Sequence, residues 1–231
     1  MQNKKVLITG GTGGLGRVVT KKVLEAGAQV TLSYLSDNEI SFMRAQLSQE
    51  DIKKISFVRA NLMKEEEVKH LLDQLPDLQV LIHLVGGFSM GPIVDFPLEK
   101  WNQQIDLNLT SAFLTCKYSL EQMFRNNYGR IVTVGSRAAV EPGAQLAAYS
   151  AAKAGLVALI RSIAAETMGA GITANIILPS VIDTPDNRKS MGDQHADKWV
   201  KPESIAELIC FLASEAAKDI RGAVIPIYGN V

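Results

Sequence analysis

The chain has 231 residues, 47% of them hydrophobic, and its 24 basic residues balance 24 acidic ones. That length accommodates one large α/β domain or two small ones around a sizeable core, and the composition excludes a disordered chain. A zero formal net charge offers no electrostatic footprint for nucleic acid or an anionic membrane, so neither is expected as a partner.

The apolar run KVLITG, bounded by glycine, predicts a buried strand over residues 5–10. GRVVTKKVLEAG predicts an amphipathic helix over 16–27, closed by Gly27. QVTLSYL reads as a second strand over 29–35, and DNEISFMRAQLS as a helix over 37–48 with Asp37 as its N-cap. A third strand lies in KISFVRANL, 54–62, and a third helix in KEEEVKHLLDQL, 64–75. LQVLIHLVGG, 78–87, is a fourth strand running into glycines. One long helix is expected over 98–127, a fifth strand over 129–136, another long helix over 146–170 and a sixth strand over 171–180. Residues 181–199 read as an irregular segment, and such long loops are usually lids or binding loops. A proline-led helix over 202–214 and a closing strand over 222–229 complete the chain.

Strand and helix alternate from end to end. The pattern predicts a doubly wound, mostly parallel α/β sheet with helices on both faces, and no break suggests a second domain. Cys116 and Cys210 lie far apart in helical patterns, without metal-ligand spacing, so neither a metal site nor a disulfide framework is expected. The N-terminus has a basic start but no signal-peptide apolar region, and no apolar run is read as long enough to span a membrane; a cytoplasmic location is expected.

Four stretches carry chemistry. TGGTGGLG, from Thr9 to Gly16, follows the first strand and enters the first helix. Glycines there permit a tight turn and close approach by a phosphate, and the helix N-terminus faces the phosphate with free N–H groups. Tyr149 and Lys153, in YSAAK, are four apart on a helix and share a face. A nearby ammonium favours the phenolate, so the pair would deliver a proton near neutral pH; an ordinary surface pair is the bland alternative. Ser136 ends the fifth strand at the carboxyl edge of the sheet, where it is either a site residue or a cap, and Asn108 sits inside a helix where asparagine is a mediocre former.

The spacing Thr9, Gly10, Gly14, Gly16, together with Tyr149 and Lys153, resembles the short-chain dehydrogenase/reductase family over nearly the whole chain. The resemblance implies a single NAD(P)-binding Rossmann domain over residues 1–231, with a substrate loop at about 181–199. It implies hydride transfer between a nicotinamide and a small-molecule carbonyl or alcohol. It assigns the catalytic set Asn108, Ser136, Tyr149 and Lys153: serine binds the substrate oxygen, tyrosine is the general acid, lysine holds the ribose, asparagine a relay water. It places the cofactor against Thr9, Gly10, Gly14, Leu15, Gly16, Ser33, Tyr34, Asn61, Leu62, Gly86, Tyr149, Lys153, Pro179, Ile182 and Thr184. Family members pair through the two long helices, so a homotetramer or homodimer is expected.

Three departures qualify the resemblance. The usual N-N-A-G after the fourth strand is HLVG here, with His83 and Leu84 in place of the asparagines; His83 is read as a satisfied core histidine in preference to a polar group near the cofactor. Ser180 and Asn61 replace the family's glycine and aspartate. Ser33 and Tyr34 stand where NAD-preferring members carry an acid, which favours NADP(H), with NAD(H) possible, although no basic phosphate clamp is apparent. Two substrate readings follow. The catalytic set is similar to that of 3-oxoacyl-carrier-protein reductases and related carbonyl reductases. IDTPDNRKSM, 182–191, and VGGFSMG, 85–91, resemble loops of dihydropteridine reductases. A non-catalytic dinucleotide-binding redox sensor is the remaining alternative.

Overall fold

The computed structural model describes residues 1–44 and 47–231. Seven strands form one parallel sheet: β1 Lys5–Thr9, β2 Gln29–Tyr34, β3 Ile55–Arg59, β4 Val80–His83, β5 Gly129–Val134, β6 Ile172–Pro179 and β7 Val224–Ile227. Their spatial order is β3-β2-β1-β4-β5-β6-β7. The chain winds outward from β1 to β3, then returns to the other side of β1 with β4 and winds outward again. This is the Rossmann-type doubly wound arrangement, and its switch point opens a crevice between the carboxyl ends of β1 and β4.

Side chains alternate between the two faces of each strand. Val6 and Ile8, Val80 and Ile82, and Val132 and Val134 join one core; Leu7, Leu81 and Ile131 join the other. The first core is covered by α1 Gly14–Glu25, α2 Asp37–Arg44 and α9 Pro202–Leu212. The second is covered by α4 Glu65–Asp73, α6 Ser111–Arg125 and α7 Ala147–Glu166. Strands buried on both faces must be apolar throughout, which is why they stand out in the sequence as short continuous runs.

Several expectations are corrected. Positions 45 and 46 of the helix expected over 37–48 lie outside the described residues, and a separate short helix, α3 Gln49–Lys53, follows them. Asp37 is the first helical residue of α2, not its cap: Ser36 precedes the helix and the carboxylate of Glu39 accepts from the Ser36 N–H at 3.2 Å, one half of a capping box. The single helix expected over 98–127 is α5 Leu98–Ile105, one π-helical turn over Asp106–Thr110, then α6. Residues 181–199 are not wholly irregular, because α8 Pro185–Met191 forms there with Pro185 in its first turn and the Thr184 hydroxyl as its cap. The chain does contain one helix, α7, long and apolar enough by length and composition to cross a membrane; its inner face is buried on the sheet in the second core. Cys116 and Cys210 are both free thiols, and burial pushes the Cys116 pKa up to about 12.

His83 ends β4 with no solvent exposure. Its Nδ1 lies 2.9 Å from the Thr9 hydroxyl on β1, and its Nε2 lies 3.5 Å from the Ser111 hydroxyl on α6. It is the satisfied core histidine expected, tying two strands and a helix at the switch point. Burial, with the nearby Lys153 charge, lowers its pKa to about 3. The unfolded chain takes up this proton near pH 6.5 and the folded one does not. Stability from this group is therefore full above pH 6.5 and falls as the pH drops toward 3. We expect wild-type stability in urea titrations to decline by up to about 1.4 kcal/mol per pH unit below pH 6.5 from this group alone. His83→Ala should lose about 2–4 kcal/mol at pH 7 and lack that part of the acid slope.

Candidate active site

The carboxyl end of β1 turns through Thr9–Gly16 directly into α1. Gly10 has φ +69°, and a Cβ there would meet the Val85 backbone nitrogen at 2.9 Å. The turn therefore packs flush against the backbone that leaves β4. No side chain caps α1 at Gly13, so the first-turn N–H groups and the dipole's positive end are left to a ligand. From the far end of the chain, Thr184 comes to the same turn: a Cβ on Gly14 would sit 3.1 Å from the Thr184 Cβ.

Beside the turn lies a cleft of about 380 Å³. Of the residues expected at the cofactor, Gly10, Ser33, Tyr34, Asn61, Leu62 and Gly86 line it. Asn61 is held by its own neighbourhood: its N–H donates to Glu67 at 2.7 Å and its side-chain oxygen accepts from Met63 N–H at 3.1 Å. Thr9 is not at the cleft surface; it is fully buried and its hydroxyl faces His83. Leu15 and Ile182 pack against the first core, and Pro179 is buried at the end of β6. Thr12, Glu39 and Ser111 also line the cleft and were not singled out from the sequence. The capping-box spacing Ser36-Asp37-Asn38-Glu39 marks Glu39 as a helix-start residue but gives no sign of the cleft.

The second group of side chains lies across the Gly86–Gly87 backbone from this cleft. Asn108 is fully buried at the centre of the π-helical turn. Its amide accepts from Gly87 N–H at 3.1 Å and donates to Gly87 O and Gln104 O, both at 3.0 Å. A π-turn adds a residue to one helical turn and so re-aims the side chains it carries. This is why an asparagine poor for an ordinary helix is well held here. Lys153, 4% exposed, donates to the Val134 carbonyl at 3.1 Å. Gly86 lies between the two: a Cβ would sit 2.8 Å from Asn108 Oδ1 and 3.1 Å from Lys153 Nζ.

Tyr149 and Lys153 share one face of α7, with Nζ 5.9 Å from the phenol ring centroid. The expected lowering of the Tyr149 pKa by Lys153 is corrected. Burial raises it, and a hydrogen bond with Ser136 opposes that rise. The ammonium lies toward the ring and the Val134 carbonyl, so desolvation outweighs attraction. Ser136 has two duties, since its hydroxyl also accepts from Ala138 N–H at 3.2 Å and caps the 3₁₀ turn Arg137–Ala139. Phe88 stands edge-on to Tyr149, with ring centroids 5.1 Å apart.

A crevice at the switch point, a glycine turn opening a helix and a tyrosine–lysine pair beyond it define a dinucleotide-dependent oxidoreductase. A family model described as short chain dehydrogenase matches residues 4–195. The chain is 29% identical to D-beta-hydroxybutyrate dehydrogenase of Cupriavidus necator, covering 97% of this chain and 96% of that protein. It is 27% identical to the 3-oxoacyl-[acyl-carrier-protein] reductase FabG of Escherichia coli, covering 100% and 98%. A short-chain type dehydrogenase/reductase from Mycobacterium ulcerans superposes with a TM-score of 0.91 at 25% identity, covering 100% and 90%. The chain belongs to the short-chain dehydrogenase family and is an NAD(P)-dependent oxidoreductase. The glycine turn, the uncapped helix start and the adjoining cleft fit that dinucleotide.

Burial lowers the Lys153 pKa to about 8, from 10.5. Below pH 8 the lysine is charged in both folded and unfolded states, and its desolvation cost is felt in full. Between pH 8 and 10.5 the folded protein sheds the proton first, and the cost is relieved as pH rises. Lys153→Met should therefore stabilise the ligand-free protein at pH 7 by about 1–3 kcal/mol, measured by urea unfolding. The gain over wild type should shrink as the pH approaches 10.5.

Proposed function

We propose that this protein reduces the carbonyl of a 3-oxoacyl compound or similar small ketone, with Tyr149 as the proton donor. One observation carries the reading. Ser136, Tyr149, Lys153 and Asn108 come from three separate elements, and Asn108 and Lys153 abut Gly86, which also borders the dinucleotide cleft. A reduced nicotinamide, when bound, supplies the hydride.

The residues divide the remaining work. Ser136 and Tyr149, close enough for the serine hydroxyl to oppose the rise in the phenol pKa, present two hydroxyls that together can cradle one carbonyl oxygen. Burial keeps the phenol protonated at neutral pH, the state a general acid needs. As the carbonyl carbon gains hydride, Tyr149 gives its proton to the oxygen. Lys153, with a pKa near 8, is poised to return a proton to the phenolate. Asn108 fixes the Gly87 backbone and, by the family resemblance, holds a relay water beside the lysine. Net, a ketone, a reduced dinucleotide and one proton give an alcohol and the oxidised dinucleotide.

A second substrate reading, a quinonoid dihydropterin, is favoured by Phe88. Its ring is 61% exposed and stands beside Tyr149, an aromatic wall suited to a flat heterocycle. Absorbance loss at the reduced-nicotinamide band, with an acetoacetyl thioester and a dihydropterin tested in parallel, separates the two. We expect thioester turnover; turnover of the pterin alone would replace the first reading with the second. Tyr149→Phe should cut kcat by about 10²–10⁴-fold while dinucleotide binding persists. Wild-type dinucleotide binding without turnover of any carbonyl would point to a sensor.

We also propose a homotetramer or homodimer joined through α6 and α7. Phe113 and Phe124 stay 46% and 50% exposed there, beside a shallow groove lined by Leu120 and Leu159. Light scattering should give a mass of at least twice 25.1 kDa; a monomer at high concentration would refute the assembly.

A further inference from the structure

We propose that Glu39 sets the cofactor choice of this protein, toward the dinucleotide that lacks a 2′-phosphate. The inference rests on the dinucleotide reading of the cleft. The end of β2 by itself favours NADP(H), because Ser33 and Tyr34 stand where an acid would otherwise close the strand. The folded chain brings an acid to the same cleft from another element. Glu39, in the first turn of α2, lines it together with Ser33, Tyr34 and the glycine-turn residue Thr12.

The carboxylate is fixed at both oxygens. Oε1 accepts from the Ser36 N–H at 3.2 Å and the Ser36 hydroxyl at 3.4 Å. Oε2 accepts from the Thr12 hydroxyl at 2.8 Å. Glu39 is half-buried and Thr12 is 7% exposed, so the charge is held at the wall of the cleft. Oε2, with a single donor, keeps acceptor capacity for a ribose hydroxyl. A 2′-phosphate in that position would bring a further ~1.5–2 negative charges beside a fixed carboxylate.

Compensation would need a cation, and no Lys or Arg is among the described residues lining this cleft. Three arginines on the neighbouring elements have partners of their own. Arg59, at the end of β3, donates to Leu35 O at 3.2 Å. Arg17, on α1, donates to Thr12 O at 3.1 Å and lines the separate cleft that contains Asp183. Arg44, at the end of α2, lies over the Phe57 ring at 5.7 Å.

The test is equilibrium binding. NAD⁺, NADP⁺, 5′-AMP and 2′,5′-ADP are titrated into the wild type and Glu39→Gln by isothermal calorimetry, at low and high salt. Glutamine removes the charge and can still accept from the Ser36 N–H through its oxygen and donate to the Thr12 hydroxyl oxygen through its amide nitrogen. Wild type should bind NAD⁺ and 5′-AMP at least ~10-fold tighter than their 2′-phosphorylated counterparts, with the preference narrowing as salt rises. Glu39→Gln should shrink the preference by ~10-fold, through tighter NADP⁺ and 2′,5′-ADP binding. Equal or tighter wild-type binding of the 2′-phosphorylated ligands would overturn the proposal without help from the variant. So would a variant whose preference is unchanged. Failure of all four ligands to bind would overturn the dinucleotide reading of the cleft, and this proposal with it, whereas NADP⁺ preference would leave that reading standing.

Discussion

The close approach of two backbones at the switch point governs the site. β1 and β4 are neighbours, but their chains leave toward opposite halves of the sheet, so their carboxyl ends must part. The first leaves through Gly10 and the second through Gly86. Neither position has room for a side chain: at Gly10 the obstacle is backbone, and at Gly86 it is Asn108 and Lys153. The cleft on one side of this seam and the tyrosine–lysine face on the other are thus a few ångströms apart. A ligand lying across the seam would meet both.

The seam is braced from below by a buried imidazole. His83 sits where the family resemblance implies an asparagine, and it links Thr9 to Ser111 through its two ring nitrogens. A fully buried imidazole is tolerable because both nitrogens have partners and because it stays neutral. Lys153 above it is charged at pH 7, so a second cation in the same enclosure would be costly. The substitution therefore keeps the polar tie at the sheet centre without adding charge.

A second set of contacts fixes the segment that follows β6. Asp183 pairs with Arg188 and Lys201, each at 2.6 Å, and Asn187 donates to Ile182 O at 2.8 Å. The paired cations hold the Asp183 carboxyl well below the usual range. These local ties turn a segment that reads as loop into the short helix α8. Periodicity did not reveal it, because PDNRKSM has no apolar stripe; its stability comes from a cap, a proline and ion pairs.

The sequence by itself determined the sheet, its helices on both faces and the order of the elements, because strands buried on two faces must be continuous apolar runs. It also determined the glycine turn, since residue type and spacing carry that, while the Ser136, Tyr149, Lys153 and Asn108 group follows from the family resemblance. Only the tertiary structure decided what surrounds each group. It put the Lys153 ammonium against the Val134 carbonyl and the Tyr149 ring, so burial governs the phenol in place of the expected attraction. It broke one predicted helix with a π-turn that aims Asn108 at Gly87. It carried Glu39 from the start of a helix to Thr12, 27 residues away in the chain, inside the cleft where the end of β2 offered no acid. Desolvation and long-range hydrogen bonds depend on which atoms fill the space around a residue, and no local pattern encodes that.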